Sequence, residues 1–150
     1  MITLTLIKRL PESVCELCNL QSLILLNCHS LTELPEKTSN LENLLNLDIS
    51  GSGLSEMPIG INKLKNLQLL PCFVVGKKRG SALTELKDFS DLQGTLHISK
   101  LQNVTCKDGV DNLYFGRMHY LEELVLEWDD NTADPENARK VLAGLKSYTY

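Results

Sequence analysis

The side chains able to do chemistry are few and spread out. Cys15 and Cys18 have the C-x-x-C spacing of a redox pair or of half a zinc site. Zinc needs a second Cys or His pair at matching distance, and none follows. His29, His97 and His119 lie far apart and belong to no metal-protease or triad motif. Gly76-Lys77-Lys78-Arg79-Gly80-Ser81 gathers three cations between glycines, a composition suited to a phosphate or an acidic partner. It lacks the phosphate-loop pattern, however, and reads first as an exposed, solvated insertion. Asp129, Asp130 and Asp134 do not follow calcium-loop spacing. These patterns point away from an enzyme and imply neither a metal nor a cofactor.

The elements that would carry these residues are written three times over. Leu10-Pro11, Leu17-Cys18-Asn19-Leu20 and Leu23-Ile24-Leu25 form one copy. Leu34-Pro35, Leu41-Glu42-Asn43-Leu44 and Leu47-Asp48-Ile49 form the next, and Met57-Pro58, Leu64-Lys65-Asn66-Leu67 and Leu70-Pro71-Cys72 the third. The Asn landmarks at 19, 43 and 66 set the period at 24 and then 23 residues. A period in this range around Leu-x-x-Leu-x-Leu marks a leucine-rich repeat. Alternate strand residues face one side, so a single strand has almost no core. Stacking at about 4.8 Å sets Leu20 beside Leu44 and Leu67, Leu23 beside Leu47 and Leu70, and Leu25 beside Ile49 and Cys72. Cys28 and Ser52 then face inward after the strand, and Leu31 and Leu54 re-enter the interior. Pro11, Pro35 and Pro58 open an outer segment with short 3-10 or helical turns, which pair Val14 with Leu17 and Ile61 with Leu64. The middle copy has Thr38 with Leu41, the weakest fit. On this alignment Cys15 and Cys18 coincide with Ser39 and Glu42, and with Asn62 and Lys65, variable outer positions.

Composition agrees with one domain. The 150 residues are 43% apolar, with 15 basic against 19 acidic side chains and a net charge of −4, which argues against a nucleic-acid backbone as main partner. Five cysteines, an odd number without a disulfide framework, suit a reducing compartment, and no stretch is long enough to span a bilayer. With no signal peptide in residues 1–10, a cytoplasmic protein is expected.

In chain order, Ile7 precedes Leu10 as Leu31 precedes Leu34, so the sequence opens part-way through a repeat, and neither end carries a polar capping unit. A fragment of something longer is expected, prone to aggregate through its open ends. Pro71 falls inside the third strand, where it deletes a ladder donor and points to an edge or a break. After the basic loop, Leu83, Leu86, Phe89 and Leu92 predict a longer convex helix ended by Gly94. Leu96-His97-Ile98 predicts a fourth strand unit and residues 121–126 a fifth, at an interval of 28 residues from Leu96 to Leu124. Leu113, Phe115 and Met118 suggest another outer helix between them. Residues 121–136 hold seven acids and no base, and Asp134 is a fitting N-cap for a last helix through Leu145. The fold class expected is α/β, a leucine-rich-repeat solenoid of about five repeats with a curved parallel sheet on its concave side. Regular repeats occupy 1–75, the basic loop 76–81 and longer irregular repeats 82–150.

Such a stack supplies a surface. Residues between the ladder leucines face the concave side, where variation leaves the core intact. Ser22, Ile24 and Leu26 come from the first strand, Asn46, Asp48 and Ser50 from the second. Thr95, His97 and Ser99 come from the fourth, and Glu123, Val125 and Glu127 from the fifth. Ile24 and Leu26 beside Asp48 predict a mixed apolar and acidic patch of the kind protein contacts use.

Four stretches carry a more specific likeness: the run from Leu10 to Leu25, its Cys28-x-x-Leu31-x-x-Leu34-Pro35 continuation, Asn66-Leu-Gln-Leu-Leu70-Pro-Cys-Phe73-Val-Val-Gly76, and Leu92-Gln-Gly94-Thr-Leu-His-Ile98-Ser-Lys-Leu-Gln-Asn-Val104. With residues 121–128 and Val141-Leu142-x-Gly144-Leu145, they make nearly the whole chain resemble the leucine-rich-repeat domain of plant coiled-coil-type nucleotide-binding disease-resistance proteins. The resemblance implies a non-enzymatic recognition module of an intracellular immune receptor. Its partner would be a pathogen effector, a host target or the receptor's own nucleotide-binding domain, which the module restrains. It transfers no single contact residue. A runner-up is a repeat domain acting as substrate adaptor of a ubiquitin ligase or as a signalling scaffold.

Overall fold

The computed structural model describes residues 6–77, 83–105, 115–129, 131 and 134–146. Its strands are β1 (Ser22–Ile24), β2 (Asn46–Asp48), β3 (Cys72–Val74), β4 (Gln93–Ser99) and β5 (Tyr120–Leu126), followed by the helix α1 (Pro135–Lys146). All described pairings are parallel. Outside the strands the chain turns through 3-10 segments: Glu12–Glu16 before β1, Glu36–Asn40, Ile61–Lys63 and Leu83–Asp88 in the next three returns, and Leu101–Asn103 and Phe115–Arg117 between β4 and β5. Strand, outer turn and return make one coil of a leucine-rich-repeat solenoid.

The ladders form as the repeat requires. Leu23 lies opposite Leu47, Leu96 opposite Leu124 and Ile98 opposite Leu126. Leu44, Leu47, Leu64 and Leu67 are completely buried, so the coils share one interior. The prolines explain two of the turns: Pro11 and Pro35 sit extended just before them, and their carbonyls accept from Val14 and Thr38. Thr38, out of place among the leucines, is itself 1% exposed because its Oγ1 donates to Pro35 O at 2.6 Å, which satisfies a hydroxyl that burial would otherwise strand. Pro58 does not open its turn; Gly60, at φ 76, precedes Ile61 instead. Leu17 does not share Val14's half-burial and is 54% exposed.

The Asn landmarks have a structural task. Asn43 Nδ2 donates to Cys18 O of the coil before (2.8 Å), and Asn66 Nδ2 to Glu42 O (2.9 Å). Asn103 reaches Val75 O and Asn137 reaches Val104 O in the same manner. Each caps a carbonyl that the turn leaves without a backbone partner, so the period is held by hydrogen bonds as well as by leucines.

Three expectations need correction. Residues 83–92 contain a 3-10 helix at Leu83–Asp88 rather than a longer helix, in keeping with their strict three-residue spacing, and Gly94 lies inside β4 at φ 76 rather than ending a helix. Cys72 does not stack on Leu25 and Ile49. Two residues, Pro71 and Cys72, separate the buried Leu70 and Phe73, where the earlier coils have one, so Phe73 takes the inward place and lies opposite Ile98. The sheet is accordingly in two parts, β1-β2 and β3-β4-β5. The rungs Leu69 N to Leu45 O (3.0 Å) and Leu47 N to Leu69 O (2.9 Å) demand Pro71 N to Leu47 O as the next, and proline has no N–H to give. The last helix, α1, is capped as expected, Asp134 Oδ1 accepting from Asn137 N at 2.9 Å. Residues 78–81 of the basic loop, Cys106, Leu113 and Asp130 lie outside the described residues.

Candidate functional site

The concave face is built by the alternation of the strands. Ser22 faces Asn46, and Asn46 Nδ2 donates to Ser22 Oγ at 2.8 Å. Ile24 faces Asp48, whose Oδ1 accepts from Ser50 N at 2.9 Å. On the second sheet Thr95 faces Glu123, with Oγ1 donating to Oε2 at 3.1 Å. His97 stands between Cys72 and Val125, with its Nε2 2.7 Å from Glu127 Oε2. Ile24 is 45% and Val125 37% exposed, while Leu26 is half-buried. The twelve expected residues alternate with the ladder leucines in two groups: Ser22, Ile24, Leu26, Asn46, Asp48 and Ser50 on or just past β1 and β2, the other six on β4 and on or just past β5.

Where the ladder parts between β2 and β3, a cleft of about 470 Å³ opens on this face. Ser50, Cys72, His97, Ser99 and Glu127 line it, so four of the twelve expected residues meet there, joined by Cys72. Burial pushes the Cys72 thiol above its ordinary range, a hydrogen bond from Ser99 opposes this, and the carboxylates of Glu127 and Asp48 push the same way as burial. Lys100 also lines the cleft; its Nζ crosses to Leu54 O (3.1 Å) and Ser55 O (2.8 Å), tying β4's end to the second coil across the gap. The Lys100 backbone is left-handed at φ 59, like Asn27 at the end of β1, and this bend turns the chain off the strand.

Sequence reasoning missed the cleft and the roles of Cys72 and Lys100. The available signal was Pro71 together with the two-residue interval before Phe73. Cys15 and Cys18, the pair with redox spacing, point apart: Cys15 is buried, with its thiol pushed up by that burial, and Cys18 is exposed. His29 and His119 are exposed and lie off these strands. No group of three metal-ligating side chains occurs among the described residues. No described helix is long and apolar enough to cross a membrane.

Sequence comparison with known proteins agrees with this architecture. The family model described as R13L1/DRL21 leucine-rich repeats matches residues 83–150. A disease-resistance protein of Arabidopsis thaliana is 49% identical over 83% of this chain and 9% of its own length. One from Solanum bulbocastanum is 35% identical over 81% of this chain and 12% of its own, and another from Arabidopsis thaliana is 30% identical over 64% and 10%. The chain thus spans about a tenth of the length of the curated relatives it matches. A leucine-rich-repeat protein of Leptospira interrogans covers 95% of this chain and 51% of its own at 18% identity, with a TM-score of 0.42.

Proposed function

The chain is a leucine-rich-repeat domain of the plant disease-resistance type, and we propose that its concave face is the recognition surface of an intracellular immune receptor. What carries this reading is the division of labour along each strand. Leu47, Leu96 and Ile98 supply the core with none of their surface in water or nearly none. Their neighbours Ile24, Asp48, His97, Val125 and Glu127 contribute nothing to the ladders and present an apolar and acidic mosaic.

The partner on this reading is a protein: a pathogen effector, a host target of one, or the nucleotide-binding domain of the same receptor, held inactive until displaced. The module works in the cytoplasm and catalyses nothing. The disease-resistance names of the relatives favour a receptor over a ubiquitin-ligase adaptor. The test places Ile24→Glu and Val125→Glu together in the full-length receptor expressed in leaves. Both side chains are exposed, so the variant should accumulate and melt like the parent while effector-triggered cell death is lost or becomes constitutive. Unchanged recognition and unchanged resting activity would refute the proposal.

A further inference from the structure

Resting on the concave face being a recognition surface, we infer that its partner is a basic protein surface, presenting Arg or Lys side chains beside an aliphatic one. Glu123, Val125 and Glu127 alternate along the chain of β5 and leave on its concave side. Four residues of extended chain separate the backbones of Glu123 and Glu127 by about 13 Å with Val125 midway, and their carboxylates rest beside Thr95 Oγ1 and His97 Nε2 of β4. Across the cleft the theme recurs, since the exposed Ile24 stands opposite Asp48.

The face offers its acids little positive charge of its own. Glu123 is held by a neutral hydroxyl and Asp48 by a backbone N–H, and Glu127 lies 2.7 Å from the imidazole Nε2 of His97. Lys100 is the only lysine or arginine among the described residues lining the cleft, and its ammonium is already engaged by two carbonyls. Trp128, half-buried beside the cleft, gives the aliphatic stem of an arginine or lysine an aromatic wall to lie on. A cationic partner would therefore find complementary charge, while an acidic one would meet repulsion.

The test selects displayed random peptides on the whole chain at low salt and measures the binders by fluorescence anisotropy. Binders rich in Arg and Lys are expected, weakened by added salt and about tenfold by Glu123→Gln with Glu127→Gln. The control Glu12→Gln with Glu16→Gln removes the same charge from an exposed outer turn and should leave affinity unchanged. Binders that are neutral or acidic, yet are blocked by Val125→Glu, would overturn the inference and leave the recognition surface standing. Equal loss in the control pair would reduce the effect to net charge and overturn it as well. Binders indifferent to every concave substitution, or none at all, would overturn both.

Discussion

The two sheets of this solenoid solve one problem at different lengths. β1 and β2 are three residues each and recur every 24 residues; β4 and β5 are seven each, 28 apart at their Leu96 and Leu124 partners. The described parts of the outer return are 3-10 turns in both regions, and the four residues added to the period match the four added to each strand. A longer strand carries more outward residues per coil, and all the concave acids but Asp48 lie on β5 or just past it. Closure of the core follows a coil's place in the stack and not the region, since Leu23 of β1 is half-buried while Leu96 and Ile98 of β4 are wholly buried. Leu44 and Leu47 have a coil on each side and are wholly buried, whereas Leu121, Leu124 and Leu126 of β5 remain half-exposed. Burial in a stacked array depends on the neighbours a coil has, more than on the identity of its own leucines.

That contrast is broken most readily by truncation. Leu47→Ala should cost about 3 to 5 kcal/mol, because the site is closed on both sides and leaves a cavity. Leu124→Ala, half-exposed already, should cost about 1 kcal/mol. Urea denaturation of the two variants decides it, and equal losses would mean that β5 is as well covered as β2. Next in size is Gly53→Ala. An added Cβ would meet His29 O at 2.3 Å, a backbone atom of the preceding coil, so the two coils must part there at a cost of about 1 to 3 kcal/mol. At Gly94 in β4 nothing lies within 4 Å of an added Cβ. Alanine there meets no atom but strains a left-handed backbone at φ 76, about 1 kcal/mol, so a melting point lowered no further by Gly53→Ala than by Gly94→Ala would show that the coils part at little cost.

A smaller effect is expected from the asparagines. Asn66→Ala and Asn103→Ala each remove one donor to a carbonyl of the neighbouring coil, about 1 kcal/mol apiece. Similar losses by chemical denaturation would show the same device serving both regions despite their different strands, and a silent Asn103→Ala would confine it to the regular one.

These residues also mark what sequence alone could deliver. Ladder leucines were legible because their spacing is dictated by strand geometry, which a period of 23 or 24 residues makes plain. The Asn positions were legible as landmarks but not as donors, since a side chain's acceptor lies one coil away and its approach depends on the turn. Thr38 looked like a flaw until Pro35 O was placed beside it. In the second half, the three-residue spacing of Leu83, Leu86 and Phe89 fits a 3-10 helix and an α-helix alike, and hydrogen bonding settles between them. The twelve concave residues followed from alternation, yet the cleft among them did not, because Cys72 was placed in the core by a register that fails at one residue.

That residue offers the least energetic and most informative experiment. Two things coincide at the break: Pro71 lacks the N–H that Leu47 O awaits, and an extra residue stands between Leu70 and Phe73. Pro71→Ala restores the donor alone. The change in stability should stay within about 1 kcal/mol, the new rung offsetting the looser unfolded chain. The phase slip remains, so Cys72 should still line the cleft and be alkylated by iodoacetamide at the parental rate. Deleting residue 71 instead returns the interval to the one-residue form of Leu47-Asp48-Ile49, letting β2 and β3 pair directly and slowing alkylation as the cleft narrows. If Pro71→Ala by itself closes the cleft, the missing hydrogen bond is what divides the sheet, and the extra residue merely rides along with it.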